Sequence, residues 1–420
     1  MRAHLLALAS HRTVGASSRL LCLCVAALLP CCSGPEGSDA SRLHAQAIVI
    51  DTHADTTPYF SDPTWHFDER HEAAETHVDL PRIREGGLDA VFWSIYLGED
   101  ERAPDGSYVP LALERIAAVR GMVGRHPDAV VLATRAEDIR SAARQGRFAS
   151  LMGLEGGHLI DGNLAALRAY HALGVRYMTL THSFHTSWAD SSGTRTPLAP
   201  RHHGLTDFGK AVVREMNRLG MMVDVSHVSD ETFWDVLEVS RAPVLASHSS
   251  TRAVADHVRN LDDEMLRALA DRGGVVMLNF YPAYIDEGAA IDTRAWRERS
   301  QEDFDVLAER FAHDRHRLRR ERRAFVAAHP PPSVALDVLL DHFDHAVAVA
   351  GPDHVGLGAD WDGVPSMPFG MEDVSRLPAL TRGLLLRGHS EDTVRKLLGE
   401  NLLRVMQDVE RVARELRQRT

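Results

Sequence analysis

MMVDVSH, Met221 to His227, and APVLASH, Ala242 to His248, decide how this sequence is read. Each is a short apolar run rich in residues that favour strands, and each finishes on histidine. Six further runs share the composition. They are AIVID (Ala47 to Asp51), LDAVFWSIY (Leu88 to Tyr96), FASLMGLE (Phe148 to Glu155), YMTLTH (Tyr177 to His182), GVVMLNFY (Gly274 to Tyr281) and HVGLGAD (His354 to Asp360). Longer amphipathic segments separate them. In TDFGKAVVREMNRLG, Thr206 or Asp207 can cap a helix and Gly220 can end it. LDDEMLRALADRGG opens with acids and ends at glycine, as the helix dipole favours. Alternating strands and helices of this kind predict an α/β fold around a parallel sheet, and eight such units predict a (β/α)8 TIM barrel. Two doubly wound domains would call for a linker or a G-x-G-x-x-G fingerprint, and neither is evident.

The segment between Tyr284 and the eighth strand is longer than one helix needs. It is expected to form two helices divided at the Pro330 to Pro332 break. The first is read as a charged surface helix inserted before the eighth strand, within residues 286–335. Its basic run DRHRLRRERR, Asp314 to Arg323, is expected to be a solvated face with the side chains outward. ENLLRVMQDVERVARELRQRT closes the chain as an amphipathic helix.

With 420 residues, 44% of them hydrophobic, the chain can bury a large core, and its net charge of -12 argues against nucleic acid as a partner. Arg2, Arg12 and Arg19 flank or precede the short apolar run LLCLCVAALLP, Leu20 to Pro30, which reads as an export signal. LLPCCSGPEGSD resembles a bacterial lipoprotein processing site. The expected organisation is therefore an export segment and tether over residues 1–40 and a barrel domain over 41–420. A lipid anchor at Cys31 or Cys32 would hold the protein to a membrane facing the periplasm or exterior; the alternative is release after cleavage. All four cysteines, Cys22, Cys24, Cys31 and Cys32, fall in the signal region. The mature chain then has no disulfide framework and no thiolate cluster, so any metal must be held by histidine and carboxylate.

Those residue types gather where barrel active sites form, at the C-terminal ends of the strands. His53 and Asp55 follow the first run, Glu155 ends the third, and His182, His227, His248 and Asp360 end the fourth, fifth, sixth and eighth. A lone histidine at a strand end is ordinarily a hydrogen-bonding residue; the same choice repeated around the barrel is a pattern. Residues i and i+2 share a strand face, so His53 and Asp55 can grip one cation from one side. Zinc takes neutral imidazole and carboxylate and leaves a position open for water. Glu155, in the glycine-flanked GLEGG, suits a bridge between two metals.

At this point the sequence resembles the membrane dipeptidase (renal dipeptidase) family of zinc peptidases, within the amidohydrolase-like hydrolases. The blocks GLEGGHLIDGNLAALRAYHALGVRYMTLTHSFHTSWADS, GLTDFGKAVVREMNRLGMMVDVSHVS, RAPVLASHSS, VRNLDDEMLR, VMLNFYPAYI, GADWDGVP and ENLLRVM carry the resemblance, in order, from about Ala47 to Val405. The resemblance implies two Zn2+ ions per chain, one on His53, Asp55 and Glu155 and the other on Glu155, His227 and His248. It implies that His182 contacts the substrate and polarises its carbonyl, that Asp360 shuttles the proton, and that Arg259 binds the substrate carboxylate. Tyr284 would line the pocket.

The implied reaction is hydrolysis of a dipeptide by a hydroxide shared between the metals. A homodimer and a small amide substrate complete the expected partners. An N-acyl amino acid deacylase or lactonase on the same metals is the rival enzyme, and a noncatalytic metal-dependent binding lipoprotein the rival of another class. Asp362 rivals Asp360 for the proton, and Asp51 is expected to orient His53 or a neighbouring ligand. The sequence departs from the family at DTHADTTP, where Pro58 stands near the position of an aromatic in many relatives, and in the charged insertion.

Overall fold

Each apolar run forms a strand. The computed structural model describes residues 35–194 and 196–419, and its strands are β1 (Ile50–Ala54), β2 (Ala90–Tyr96), β3 (Val130–Leu132), β4 (Phe148–Glu155), β5 (Val175–Thr179), β6 (Met222–Asp224), β7 (Leu245–Ser249), β8 (Val275–Leu278) and β9 (Val355–Leu357). Every pairing between these strands is parallel. The ring runs β1, β2, β4, β5, β6, β7, β8, β9 and returns to β1 through Asp51 opposite Leu357. This is the expected eight-stranded barrel. Strand β4 is buried along its whole length, as a parallel strand covered on both faces must be.

One strand escaped the sequence. β3 has three residues and pairs only with β4, at Phe148 to Ser150, outside the closed ring. Its two apolar valines and one leucine are too short a run to stand out from the helices around them.

The expected caps are made. Thr206 accepts a hydrogen bond from the Gly209 amide and Gly220, at φ 84°, ends that helix; Asp262 accepts from the Met265 amide. Left-handed φ at Gly220 is the conformation that favours glycine at a helix end.

The insertion differs from expectation. Three helices, Glu287–Arg310, Arg315–Ala328 and Leu336–Ala350, occupy the stretch read as two. The proline break falls between the second and third, but the chain has already turned at Phe311, which is buried, and Asp314 caps the next helix by accepting from the Arg317 amide. The basic run is an outward face only in part, at Arg315, Arg317 and Arg322, which are exposed. Helix Arg315–Ala328 has no buried residue of its own. Its other arginines reach groups that follow β1 or β9: Arg319 donates to the Pro58 carbonyl at 3.3 Å, Arg320 pairs with Asp62 at 2.7 Å, and Arg323 donates to the Asp362 carbonyl at 2.8 Å. Buried carboxylates and loop carbonyls draw the guanidinium groups inward.

Residues 1–34, with the four cysteines, lie outside the described residues; Pro35 to Ala40, read as the end of the tether, instead open a helix, Pro35–Gln46, in which Ala40 and Leu43 are buried. Among those described, no helix is long and apolar enough to cross a membrane.

Candidate active site

Glu155, the last residue of β4, projects into the mouth of the barrel. Ser94 of β2 donates to its Oε2 at 2.8 Å. The same Oε2 lies 3.3 Å from His53 Nε2, which is in turn 3.4 Å from Asp55 Oδ2. The other oxygen, Oε1, lies 3.2 Å from His227 Nε2, 3.4 Å from His248 Nε2 and 3.6 Å from His182 Nε2. One carboxylate therefore faces two sets of donors, one with each oxygen.

The protein fixes these rings from behind. The Tyr177 hydroxyl of β5 is 2.9 Å from His53 Nδ1 and 3.0 Å from the Thr52 carbonyl. A carbonyl can only accept, so the tyrosine proton goes to Thr52 and the phenolic oxygen accepts from Nδ1–H. In the neutral ring this tautomer leaves the lone pair of Nε2 towards Glu155 and Asp55. This Nε2 is buried and has no hydrogen-bond partner. The tyrosine ring fits only because β4 carries Gly153 beside it: a Cβ there would stand 1.9 Å from Tyr177 Cζ.

A second anchor is Asp224, at the end of β6. It accepts from the Thr179 hydroxyl at 2.5 Å, the Ser247 hydroxyl at 2.6 Å, and the amides of Ser226 and Ser247. Ser247 Oγ sits 2.7 Å from His248 Nδ1, and Ser226 Oγ accepts from the His248 amide. The ends of β5, β6 and β7 are thus tied through one carboxylate. Asp51 does the same for β1 and β9, accepting from the His53 and Ala359 amides and from the Trp361 indole. It holds the backbone of His53 rather than its ring, and burial pushes its carboxyl up to about 6.

Asp360 and Asp362 follow β9, and both adopt left-handed φ, as does His227. Such strained non-glycine backbones concentrate at functional sites. Asp362 is closed in: its Oδ2 accepts from the Thr56 hydroxyl at 2.6 Å, and its Oδ1 from the His77 amide at 2.7 Å and from Arg323 at 3.2 Å. Among the described residues, the Asp360 carboxylate accepts only from Asn279, at Oδ2 and 3.1 Å. Burial, reinforced by Asp55 and Glu155, pushes Asp360 up to about 7. Gly363 makes room here, because a Cβ would lie 2.3 Å from both Asp360 Oδ1 and Asp55 Oδ2.

Arg259 is buried, donating from Nη2 to the His248 carbonyl at 3.1 Å, with its guanidinium 5.5 Å from the Tyr284 ring centre. Its Nε has no partner. Tyr284 lines the cavity of about 800 Å³ in front of Glu155, and Arg259 is not among its lining residues. His182, Asp55, His227 and Asp360 also line this cavity, with Tyr59 supplying an aromatic wall next to Pro58.

The donor set suits divalent cations. Ligand atoms of His53, Glu155 and His248, of Glu155, His182 and His227, and of His53, Asp55 and Asp360 each gather within 4.8 Å of one another. Burial drives His227 and His248 well below the ordinary imidazole range, which keeps them neutral as a metal ligand must be. Burial alone would raise Glu155, but the His53 ring and hydrogen bonds from His227 and His248 hold it well below the usual carboxylate range. The sequence did not reveal Tyr177, Ser94, Asn279 or the role of Asp224. Only Asp224 had a signal, an acid inside an apolar strand run.

Comparison with known proteins gives the family. A model of the membrane dipeptidase family (peptidase family M19) matches residues 38–420. Dipeptidase aclJ of Aspergillus oryzae is 38% identical over 353 residues, which cover 82% of this chain and 73% of that protein. Among solved structures, the probable dipeptidase PvdM from Pseudomonas aeruginosa is 27% identical with a TM-score of 0.75, covering 90% of this chain and 99% of that one. A metallopeptidase from Rhodobacter sphaeroides, liganded with a phosphinate mimic of the dipeptide L-Ala-D-Ala, is 27% identical with a TM-score of 0.69, covering 86% and 99%.

Proposed function

The chain belongs to the membrane dipeptidase family, peptidase family M19, and on that premise we propose that it is a zinc-dependent dipeptidase acting at the barrel mouth. The observation that carries the reading is the division of the Glu155 carboxylate, with His53 on Oε2 and with His227 and His248 on Oε1. His53, Asp55 and Glu155 would hold one metal, and Glu155, His227 and His248 the second. Two zinc ions would supply Lewis acidity to the scissile carbonyl and make water a nucleophile at neutral pH.

The chain's own residues bind, orient and move protons. His182 lies in the cavity wall with Ser183 Oγ 2.9 Å from its Nδ1, so the hydroxyl can donate to Nδ1 while Nε2–H donates to the carbonyl oxygen as charge develops. Asp360, held at Oδ2 by Asn279 and raised towards neutrality, takes a proton from water and returns it to the leaving amine. Asp362 is too fully engaged for that role. Arg259 has donors left over beside Tyr284 and would fork onto the free carboxylate of the substrate, a contact that lysine copies poorly. A carboxylate clamp so close to the reacting bond favours dipeptides over longer chains.

The test is turnover by zinc-loaded protein on a panel of Gly-Xaa dipeptides, their C-terminal amides and counterparts with a D residue in second place. Hydrolysis of the free dipeptides with most activity lost on the amides is expected. Equal activity on the amides would remove the clamp, and a fully metal-loaded protein inert on the whole panel would overturn the reading. For the N-terminal region, we propose that residues 1–40 export the catalytic unit of 41–420 and anchor it through lipid at Cys31 or Cys32. Palmitate labelling that survives the Cys31→Ala/Cys32→Ala double variant would refute the anchor.

A further inference from the structure

We propose that helix Arg315–Ala328 of the insertion builds a cationic subsite that selects dipeptides with an acidic N-terminal residue, aspartyl or glutamyl. The inference rests on the dipeptidase reading and deepens it. Arg319, Arg322 and Arg323, spaced i, i+3 and i+4, share one helix face, and all three line the cavity in front of Glu155.

Their charge is only partly answered by the protein. Arg319 donates to the Pro58 carbonyl at 3.3 Å and lies 5.1 Å from the Tyr59 ring centre, so neither partner is an anion. Partial burial pulls it down to about 10, which leaves it charged at neutral pH. Arg322 is exposed and makes no hydrogen bond or ion pair among the described residues. Arg323 alone meets an acid, Asp362 at 3.2 Å, and that carboxylate is shared with Thr56 and His77. Of the other acids lining the cavity, Asp55 and Glu155 face the imidazoles of the metal site and Asp360 is held by Asn279. A surplus of positive charge therefore stands on the insertion wall of an otherwise acidic molecule.

Position decides which substrate residue meets it. The Arg259 clamp lies beside His248 and Tyr284. Arg319 and Arg323 instead contact Pro58 and Asp362, in the loops that carry Asp55 and Asp360. A dipeptide with its carboxylate at Arg259 and its peptide bond in the cavity in front of Glu155 and His182 turns its N-terminal residue to the insertion wall. A side-chain carboxylate there can be forked by guanidinium groups, and a basic side chain is repelled.

The experiment compares Glu-Ala with its neutral isostere Gln-Ala on the zinc-loaded enzyme. The wild type is expected to favour Glu-Ala in kcat/KM by about tenfold or more. Arg322→Gln and Arg319→Gln are expected to bring that ratio towards one, and Arg322→Glu, at an exposed position that folding does not depend on, to shift preference to Lys-Ala. Calorimetric binding of phosphinate isosteres of Glu-Ala and Gln-Ala should show the same preference and the same loss. Equal or better handling of Gln-Ala by the wild type, or a ratio that the arginine variants leave unmoved, overturns the subsite and leaves the dipeptidase reading standing. Failure to hydrolyse any dipeptide overturns that reading and the subsite with it.

Discussion

Gly153 and Tyr177 sit opposite each other across β4 and β5, and the tyrosine ring fills the place where a glycine Cβ would be, 1.9 Å from Cζ. The contact delivers the hydroxyl to His53. Gly153→Ala is expected to push the ring away, at a cost on the order of 1–3 kcal/mol from overpacking. Tyr177→Phe keeps the ring and removes only the hydroxyl; metal affinity should fall by about 10- to 100-fold. Competition with a chromophoric chelator measures it, and an unchanged affinity would separate His53 from this support.

Asp360→Asn and Asp362→Asn should fail in different ways. The first is expected to lower kcat by about 10²- to 10⁴-fold with metal content and melting temperature preserved. The second breaks a buried set of bonds to Thr56, His77 and Arg323, so thermal unfolding should shift down by several degrees. Loss of turnover in Asp362→Asn with full activity in Asp360→Asn would reverse the roles.

Metal stoichiometry should follow the geometry of Glu155. Glu155→Gln is expected to lose both metals, while Asp55→Asn and His227→Ala each lose about one. Elemental analysis of the purified variants decides this, and two equivalents retained by Glu155→Gln would end the bridging role. Chelation of the wild type should abolish turnover and lower the melting temperature, because metal binds only the folded chain.

His342 should make the fold acid-sensitive. Its Nδ1 accepts from the Thr251 amide at 3.2 Å, and its Nε2 donates to the Ile285 carbonyl at 2.9 Å. A second proton would have to enter at Nδ1, against an N–H, and burial lowers the ring from 6.5 to about 4. Between those values the unfolded chain binds a proton that the folded one refuses, so stability falls as pH drops through 6.5 towards 4, by about 3 kcal/mol at most. Denaturant unfolding at pH 7 and pH 5 should show a smaller loss for His342→Gln than for the wild type; equal losses would exclude His342 as a source.

Strand-end histidines were legible because an apolar run that ends abruptly fixes where the barrel mouth begins. His53, Glu155, His227 and His248 arrive at one place for that reason. Tyr177 was not legible: it opens the run YMTLTH as any core aromatic would, and its meaning depends on a glycine in another strand. Ser94 is equally silent inside LDAVFWSIY. The insertion hid its orientation for a different reason. Periodicity reports the apolar stripe of a helix, and helix Arg315–Ala328 has no buried residue to set one. Its arginines are turned by Asp62, Asp362 and the Pro58 carbonyl, which lie far away in sequence.

The join between β1 and β9 has a consequence for how the molecule is made. Asp51 and the Trp361 indole that it accepts from are 310 residues apart, so the loop they close is among the most costly in entropy that the chain can form. During synthesis His53, Asp55 and Glu155 emerge well before the segment that completes their surroundings. Until Ala359 and Trp361 arrive, the Asp51 carboxylate has only the local His53 amide to answer it. A ribosome-bound fragment lacking the last strand would thus hold an open ring with an unfinished seam, and contact order places its closure late in folding.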